Sequence, residues 1–246
     1  MKVCVVGNTR QTLKGLRRLV GEGYDVICVF GLPEEIAAKK VNFISLANFC
    51  LEHSIQLDTS NNWDNLLALE LDLVICLGDS RIVPEKVINA HNIIGNHGAV
   101  LPGVQGGASL VWGRMLNNGK WGVSIMELDK AVDSGKILVT KEFSYEHDCT
   151  MEHFCETADD LTIDALFEYL DGDHEPKENA RWNVRIARHT DSSFAVDILG
   201  AALAAGVNIY LPPRRPVDSI LNPMWEDEFV ESFKKANSFP YPGWTE

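Results

Sequence analysis

Short apolar runs alternate with segments of helical periodicity through the first two thirds of the chain. The run Leu71–Leu77 is apolar on both faces, as a strand in the middle of a parallel sheet must be. Similar runs at Val3–Val6 and Tyr24–Phe30 flank a helical pattern at Leu13–Val20. Strand followed by helix, repeated several times, predicts an α/β fold with a doubly wound, mostly parallel sheet. Gly7 follows the first strand without a GxGxxG pattern, so no dinucleotide site is expected there.

The length of the chain and one polar stretch indicate how it is divided. At 246 residues there is room for one large domain, or for one domain with an appendage. The stretch Asp171–Asn183 is mostly polar and predicts a boundary. We therefore expect a main domain over residues 1–178 and a small C-terminal tail subdomain over residues 179–246. Two helices are predicted in the tail, at 196–205 and 227–237.

The chain is strongly acidic, with a net charge of −13 and an isoelectric point near 5.0. Nucleic acid binding needs clustered lysine and arginine, so nucleic acid is not an expected partner. The longest apolar stretch, Leu199–Leu211, is too short to span a bilayer, and the amino terminus reads as a strand rather than a signal peptide. The six cysteines show no CxxC spacing, which favours buried thiols in a reducing cytosol. These features predict a cytoplasmic protein with neither a membrane partner nor a metal site.

The segment Asn92–Ile137 combines one histidine and two aspartates at a distinctive spacing. An apolar run ends at His97, and the sites of parallel sheets open at such carboxyl ends of strands. A Leu-Pro turn, a glycine-rich turn at 103–107 and an apolar helix follow. A second apolar run then leads to Asp129 and to Asp133, which opens the sequence Asp-Ser-Gly-Lys-Ile. Taken singly, a histidine at a strand end is more often structural, and Asp-Ser-Gly is ordinary turn chemistry.

Taken together, the order and spacing of these features resemble the folate-dependent formyltransferases. That family includes glycinamide ribonucleotide transformylase, methionyl-tRNA formyltransferase and the sugar N-formyltransferases. Its shared core reads roughly Asn-x-His-x-x-x-Leu-Pro, then Gly-Val-(Ser/Thr)-(Ile/Leu), then Asp-x-Gly-x-Asp-(Ser/Thr)-Gly-x-Ile. The Pro-Tyr-Pro-Gly sequence at 240–243 resembles the tail of many sugar and tRNA formyltransferases. One position departs from the pattern, because Gly95 stands where most of the family has its catalytic asparagine.

The resemblance implies a formyltransferase-type, Rossmann-like fold, a catalytic domain in residues 1–178, and N10-formyltetrahydrofolate as the formyl donor. It also implies that His97 is the acid–base group and that Asp133 is its partner. Two loops line the pterin pocket in relatives, so the residues expected near the folate are Arg81, Ile82, Val83 and Asp129. Asn96 is the nearest candidate for the missing oxyanion donor, provided that the strand breaks at Gly95. If Asn96 faces away, asparagine at position 95 is expected to raise activity.

These expectations predict an N-formyltransferase that acts on the primary amine of a small molecule. The tail sequence and the negative charge favour a nucleotide-linked amino sugar over tRNA as the acceptor. Some arginines of the tail could hold its diphosphate, namely Arg185, Arg188, Arg214 and Arg215. A glycinamide ribonucleotide transformylase-like enzyme and a formyltetrahydrofolate hydrolase stay open as alternatives. So does a catalytically weakened binding module, which Gly95 would explain. The oligomeric state is also open, with a homodimer as one candidate.

Overall fold

The computed structural model of the chain describes residues 1–40, 42–172 and 175–245. Backbone contacts divide these residues into two compact units. Unit 1 comprises Met1–Asn96 and Met126–Gly135, and unit 2 comprises His97–Ile125 and Lys136–Glu246. The predicted boundary after residue 178 lies inside unit 2 and stays a prediction. Residues 173 and 174, in the polar stretch that suggested it, lie outside the described part of the chain.

The strands of the described residues form two sheets. They are β1 (Lys2–Val6), β2 (Asp25–Phe30), β3 (Gln56–Asp58), β4 (Leu73–Cys76), β5 (Ile93–His97), β6 (Val104–Gly106), β7 (Lys120–Glu127), β8 (Ile137–Ser144), β9 (Val184–Arg185) and β10 (Ile209–Leu211). One sheet has the order β3-β2-β1-β4-β5-β7-β8, and a smaller one has the order β6-β10-β9. The pairs β2–β3, β1–β2, β1–β4 and β4–β5 are parallel. This confirms the predicted α/β fold with a mostly parallel sheet.

Helices connect most of these strands. They are α1 (Arg10–Gly21), α2 (Glu34–Ala37), α3 (Ala47–Glu52), α4 (Asp64–Leu67), α5 (Glu85–Ala90), α6 (Ser109–Leu116), α7 (Met151–Asp171), α8 (Ser192–Ala204) and α9 (Asp227–Ala236). Helix α1 starts after Thr9, whose hydroxyl accepts a hydrogen bond from the Thr12 N–H and so caps the first turn. Among the helices described, none is both long and apolar enough to cross a membrane.

Unit 1 is built around parallel strands whose central members are buried. All of β4 is buried, and β1 is buried from Val3 onward. Cys4, Cys28 and Cys76 lie in this core, and burial raises the pKa of Cys76 to about 12. The prediction of buried thiols is therefore confirmed for these strands. Because the strands run parallel, the segments that follow their carboxyl ends share one edge of the unit.

Unit 2 has an apolar core of its own around α6, α7 and α8. Trp112, Phe154 and Leu199 contribute one buried side chain from each of these helices. The small sheet lies in the same unit, where Ile209 of β10 is in register with Val104 of β6 and with Val184 of β9. Both pairs are parallel. His97 belongs to this unit too, and the small sheet supplies the strand that its side chain contacts.

Two local predictions differ from the structure. The glycine-rich segment 103–107 contains strand β6 and is not simply a turn, because Val104–Gly106 pairs with β10. The apolar spacing predicts a helix over Ile82–Ile88, but α5 starts only at Glu85, after Pro84. Proline is suited to a helix start and restricts the residue before it to extended backbone, so Ile82 and Val83 are left in a loop.

Candidate active site

His97 is the last residue of β5, and its side chain is buried. Its Nε2 atom lies 3.0 Å from the carbonyl oxygen of Val104, in β6. A carbonyl oxygen can only accept, so Nε2 carries a proton and, in the neutral ring, Nδ1 holds the lone pair. The backbone of β6 thus sets the tautomer of the imidazole. A histidine held in one tautomer can take up a proton at Nδ1 and return it.

Asn96 lies next to His97 in β5 and holds a loop of unit 1. Its Oδ1 accepts a hydrogen bond from the Gly78 N–H at 3.1 Å. Gly78 has a φ of +63°, and a Cβ there would lie 2.2 Å from Thr9 Oγ1, so the position requires glycine. Asn96 therefore fixes the start of the loop 78–84, which follows β4. Its role as an oxyanion donor stays a prediction.

Gly95 is packed against a leucine that the sequence analysis did not single out. A Cβ at position 95 would lie 2.9 Å from Cδ2 and 3.4 Å from Cγ of Leu128, and 3.6 Å from Cβ of Cys76. The φ of Gly95 is outside the left-handed region, so its backbone would accept another residue. The constraint is therefore space, because a side chain at residue 95 requires the terminal Cδ2 of Leu128 to shift.

The Arg81 side chain is hydrogen-bonded to several segments of unit 1. Its guanidinium has five N–H donors, and all of them meet acceptors of the protein. Nε donates to both carboxylate oxygens of Asp79 (3.0 and 2.9 Å), Nη1 to the Gly31 carbonyl and Asn61 Oδ1 (2.8 and 3.1 Å), and Nη2 to the Phe30 carbonyl and Asp79 Oδ2 (3.1 and 2.7 Å). The guanidinium also lies 4.9 Å from the ring centroid of Phe30. Since its donors are used internally, Arg81 holds the loop 78–84 to the end of β2.

Ile82 and Val83 face opposite environments. The side chain of Val83 is 8% exposed and packs into the strand core of unit 1. Ile82 is 71% exposed, which is high for a large apolar residue in a loop that hydrogen bonds hold in place. Of these two residues, Ile82 is the one whose side chain is accessible to a ligand.

Asp129 and Asp133 lie in the loop after β7, within unit 1. The Asp129 carboxylate is exposed and accepts a hydrogen bond from the Lys130 N–H at 2.7 Å. Asp133 is half-buried with a φ of +52°, a conformation that aspartate and asparagine tolerate better than most residues. A Cβ at Gly135 would lie 1.9 Å from the Glu127 carbonyl oxygen, so the loop closes back on β7 and needs glycine there.

The two loops of unit 1 lie beside one another. Lys130 forms a salt bridge of 2.5 Å with Glu85, the first residue of α5, which directly follows the loop 78–84. Leu128 donates its N–H to the Ile93 carbonyl at 2.9 Å, so the loop 129–135 starts next to β5. The salt bridge is more than half exposed, and such pairs contribute about 0–1 kcal/mol. It therefore reports proximity of the loops rather than strong stabilisation.

The structure places six of the seven predicted site residues in unit 1 and His97 in unit 2. The loop 78–84 contains Arg81, Ile82 and Val83, and Asn96 is hydrogen-bonded to its first residue. The loop beside it contains Asp129 and Asp133. No group of three histidine, cysteine, aspartate or glutamate side chains among the described residues could hold a metal ion.

Two of the four tail arginines are tied to protein groups within unit 2. Arg214 donates to Ser192 Oγ at 3.1 Å and to the Asp218 carbonyl, and its guanidinium lies 5.0 Å from the Trp112 ring centroid. Burial lowers the pKa of Arg214 to about 10. Arg215 pairs with Asp218 at 3.5 Å. Arg185 and Arg188 are exposed and stay candidates for binding an anion.

Comparisons with known proteins agree on one family. A family model described as "Formyl transferase" matches residues 2–170. The methionyl-tRNA formyltransferase of Bacillus mycoides (strain KBAB4) is 31% identical over 156 residues, which cover 59% of this chain and 50% of that protein. The chain thus spans about half the length of the curated relatives it matches.

Solved structures share the fold at low sequence identity. An N-formyltransferase from Helicobacter canadensis, in complex with folinic acid and dTDP-3-aminofucose, has a TM-score of 0.68 and 15% identity, and the match covers 96% of this chain and 80% of that one. HypX from Aquifex aeolicus, in complex with tetrahydrofolic acid, has a TM-score of 0.64 and 12% identity, with 96% of this chain and 34% of that one covered. Since the family model matches well over half of the chain, the protein belongs to the formyl transferase family.

Proposed function

We propose that the protein is a cytoplasmic enzyme that transfers a formyl group from N10-formyltetrahydrofolate to the primary amine of a nucleotide-linked amino sugar. The observation that carries this proposal is the buried His97, fixed in one tautomer by the Val104 carbonyl, in a chain of the formyl transferase family. The folate ligands named for the Helicobacter canadensis and Aquifex aeolicus structures support the choice of donor. The dTDP-3-aminofucose of the former supports the choice of acceptor.

Formyl transfer is acyl transfer between two nitrogen atoms. The acceptor amine attacks the formyl carbon, a new C–N bond forms, and the carbonyl becomes a tetrahedral oxyanion. Collapse of this intermediate restores the carbonyl and breaks the bond to N10 of the folate. One proton leaves the attacking amine and one reaches N10. A single group that first accepts a proton and then donates it can therefore serve both steps. His97 performs this shuttle at Nδ1 in our proposal, because Nε2 is committed to Val104.

The proposed supporting roles are those that the family resemblance and the sequence assign to the remaining residues. Asp133 favours the charged imidazole during the shuttle, as a carboxylate partner does. Asn96 serves as oxyanion donor through its Nδ2 group, while its Oδ1 holds Gly78. The loop 78–84 and the loop 129–135 receive the pterin mainly through backbone groups, since the Arg81 donors are occupied. In this arrangement Ile82 adds apolar contact with the folate.

The Gly95–Leu128 contact specifically favours a second candidate function. If no other group replaces the family's asparagine, the protein binds folate and turns over slowly or not at all. Removing one oxyanion donor lowers kcat by about 10²–10³ in other acyl-transfer enzymes. A folate-binding module of this kind would bind donor and acceptor normally and would show no formyl transfer to any amine.

The first prediction concerns the donor. The protein should bind 5-formyltetrahydrofolate, a stable analogue, in the micromolar range, about −8 kcal/mol by calorimetry. Ile82→Ser should weaken this binding about 5- to 30-fold, because an apolar contact worth about 1–2 kcal/mol is lost. Leu51→Ser is the control, since Leu51 is 82% exposed and belongs to α3 rather than to either loop. Equal affinity of the Ile82→Ser variant and the unmodified protein would contradict the assigned pocket.

The second prediction concerns the proton shuttle. His97→Ala should lower kcat by about 10²–10⁴ with little change in folate affinity. Asp133→Asn should lower kcat similarly, and asparagine keeps the left-handed backbone at this position. His91 offers a matched control, because its Nε2 also meets a backbone carbonyl, that of Leu66 at 2.9 Å. His91→Ala should keep full activity, whereas a His97→Ala variant above about a tenth of the normal rate would exclude this mechanism.

The third prediction concerns Gly95. Gly95→Asn alone should lower stability by about 1–3 kcal/mol and should not raise activity, because the new side chain meets Leu128. Gly95→Asn combined with Leu128→Ala should fold better than the single variant and should gain formyl-transfer rate. Urea denaturation and steady-state kinetics on the two single variants and the double variant measure the coupling. Strict additivity of the two substitutions would show that Leu128 is not the obstacle.

The fourth prediction concerns the acceptor. Formyl transfer should be faster with nucleotide-linked amino sugars than with glycinamide ribonucleotide or methionyl-tRNA, since the net charge of −13 repels a polyanion. The measurement is kcat/KM for each acceptor at fixed donor concentration and at two salt concentrations. Methionyl-tRNA is the most important alternative acceptor to test, because the curated relatives are methionyl-tRNA formyltransferases. Preferential use of tRNA would overturn the proposed acceptor class.

A further inference from the structure

One surface of unit 2 combines two aromatic rings with two arginines. The ring centroids of Trp182 and Tyr210 are 6.0 Å apart. The guanidinium carbon of Arg185 lies 5.2 Å from the Tyr210 centroid and 5.9 Å from that of Trp182, and Arg181 lies 4.9 Å from Trp182. Both rings are half-buried and both arginines are exposed. We call these four residues the aromatic patch.

The aromatic patch rests on the small sheet. Tyr210 of β10 is in register with Gln105 of β6 on one side and with Arg185 of β9 on the other. Residues in register on neighbouring strands point to the same face, so these three side chains form a row. Gln105 is buried, and its Nε2 donates to Asn179 Oδ1 at 3.2 Å and to the Ala180 carbonyl at 3.0 Å. The segment that leads into Trp182 is therefore anchored to the sheet.

The chemistry of the patch fits a planar ring that carries phosphate. Nucleobases stack on tryptophan and tyrosine because every base has a π-face. Arginine recognises phosphate through paired N–H donors. The chain is acidic overall, with a net charge of −13, but the two exposed arginines of the patch place positive charge beside its aromatic rings. Exposed cation–π contacts are weaker than base stacking, so a nucleotide can displace the guanidinium groups from the rings and still engage them through its phosphates.

The row of side chains also leads toward His97. The His97 ring is bonded to the backbone of β6, at the residue before Gln105. Strands lie about 4.8 Å apart, so β9 is about 10 Å from β6 across the small sheet. A diphosphate and a ribose separate the base from the sugar in a nucleotide-linked sugar. The patch and the His97 ring thus contact opposite outer strands of the same three-stranded sheet.

We propose that the aromatic patch of Trp182, Tyr210, Arg181 and Arg185 binds the base and diphosphate of a nucleoside diphosphate. This inference rests on the proposed function, because it names the part of unit 2 that holds the nucleotide of the acceptor. Trp182 or Tyr210 stacks with the base on its outward face, since the two rings already contact each other. Arg181 and Arg185 bind the phosphates. Two other tail arginines, Arg214 and Arg215, are held by protein groups and act structurally in this proposal.

Calorimetry on the full chain tests the patch with UDP, dTDP and GDP as probes. At least one of them should bind, and Trp182→Leu should weaken that binding about 5- to 150-fold, the loss expected for one stacked base. Trp182→Phe should restore most of the affinity because it keeps a stacking face. Arg185→Gln should weaken binding about fivefold or more and should reduce its salt dependence.

A second aromatic–cation pair in unit 2 provides the matched control. Lys234 lies 4.9 Å from the ring centroid of Trp244. Trp244→Leu should leave nucleotide affinity unchanged, and unchanged melting temperatures should show that each variant folds. No binding of any probe, or equal binding by Trp182→Leu and the unmodified protein, would overturn the proposal. Tighter binding of a single-stranded oligouridine than of UDP would also overturn it, in favour of an RNA surface.

The two proposals fail in different ways. If the protein formylates a nucleotide-free amine and binds none of the three probes, formyl transfer stands and the patch proposal is wrong. If the probes bind in a Trp182-dependent manner and no nucleotide-linked amino sugar is formylated, the patch stands and the proposed function is wrong.

Discussion

The hydrogen bond between His97 Nε2 and the Val104 carbonyl is the constraint on which the proposed chemistry depends. It commits Nε2 to the Val104 carbonyl, so the proton transfer that we propose takes place at Nδ1. Its acceptor belongs to a three-residue strand, and that strand pairs with β10, which pairs in turn with β9. The orientation of one imidazole is thus supported by residues more than a hundred positions later in the chain.

In unit 1, polar side chains hold the loop 78–84 in place. Arg81 uses all of its donors on Asp79, Asn61 and the end of β2, and Asn96 Oδ1 is bonded to the Gly78 N–H. Hydrogen bonds that involve a charged group contribute about 1.5–3 kcal/mol, so the loop 78–84 is set before any ligand arrives. A preorganised loop loses little entropy on binding, which suits recognition of a flat ring by backbone groups and one exposed isoleucine.

The sequence predicted the parallel sheet and the place of His97, because periodicity and the ends of strands are local signals. It did not predict β6, since Val104–Gly106 becomes a strand only by pairing with residues 209–211. Arg81 looks like a ligand-binding residue because, apart from Asp79, the acceptors that occupy it lie 20 to 51 positions away. Leu128 carries no signal at all: an apolar residue in an apolar run gives no hint that it covers Gly95. In each case the missing information is a contact between distant residues, which no local pattern encodes.

The packing of Leu128 over Gly95 also couples the two positions, because a change at one alters what the other can accept. A lineage that first gains a side chain at position 95 meets an atom 2.9 Å away and loses stability. A lineage that first shortens Leu128 opens a small gap, and the second step then fills it. Either single change has a cost, crowding in one order and a cavity in the other, so the two positions are expected to change together. Gly95 and Leu128 therefore form an epistatic pair, in which the effect of a substitution at one position depends on the residue at the other.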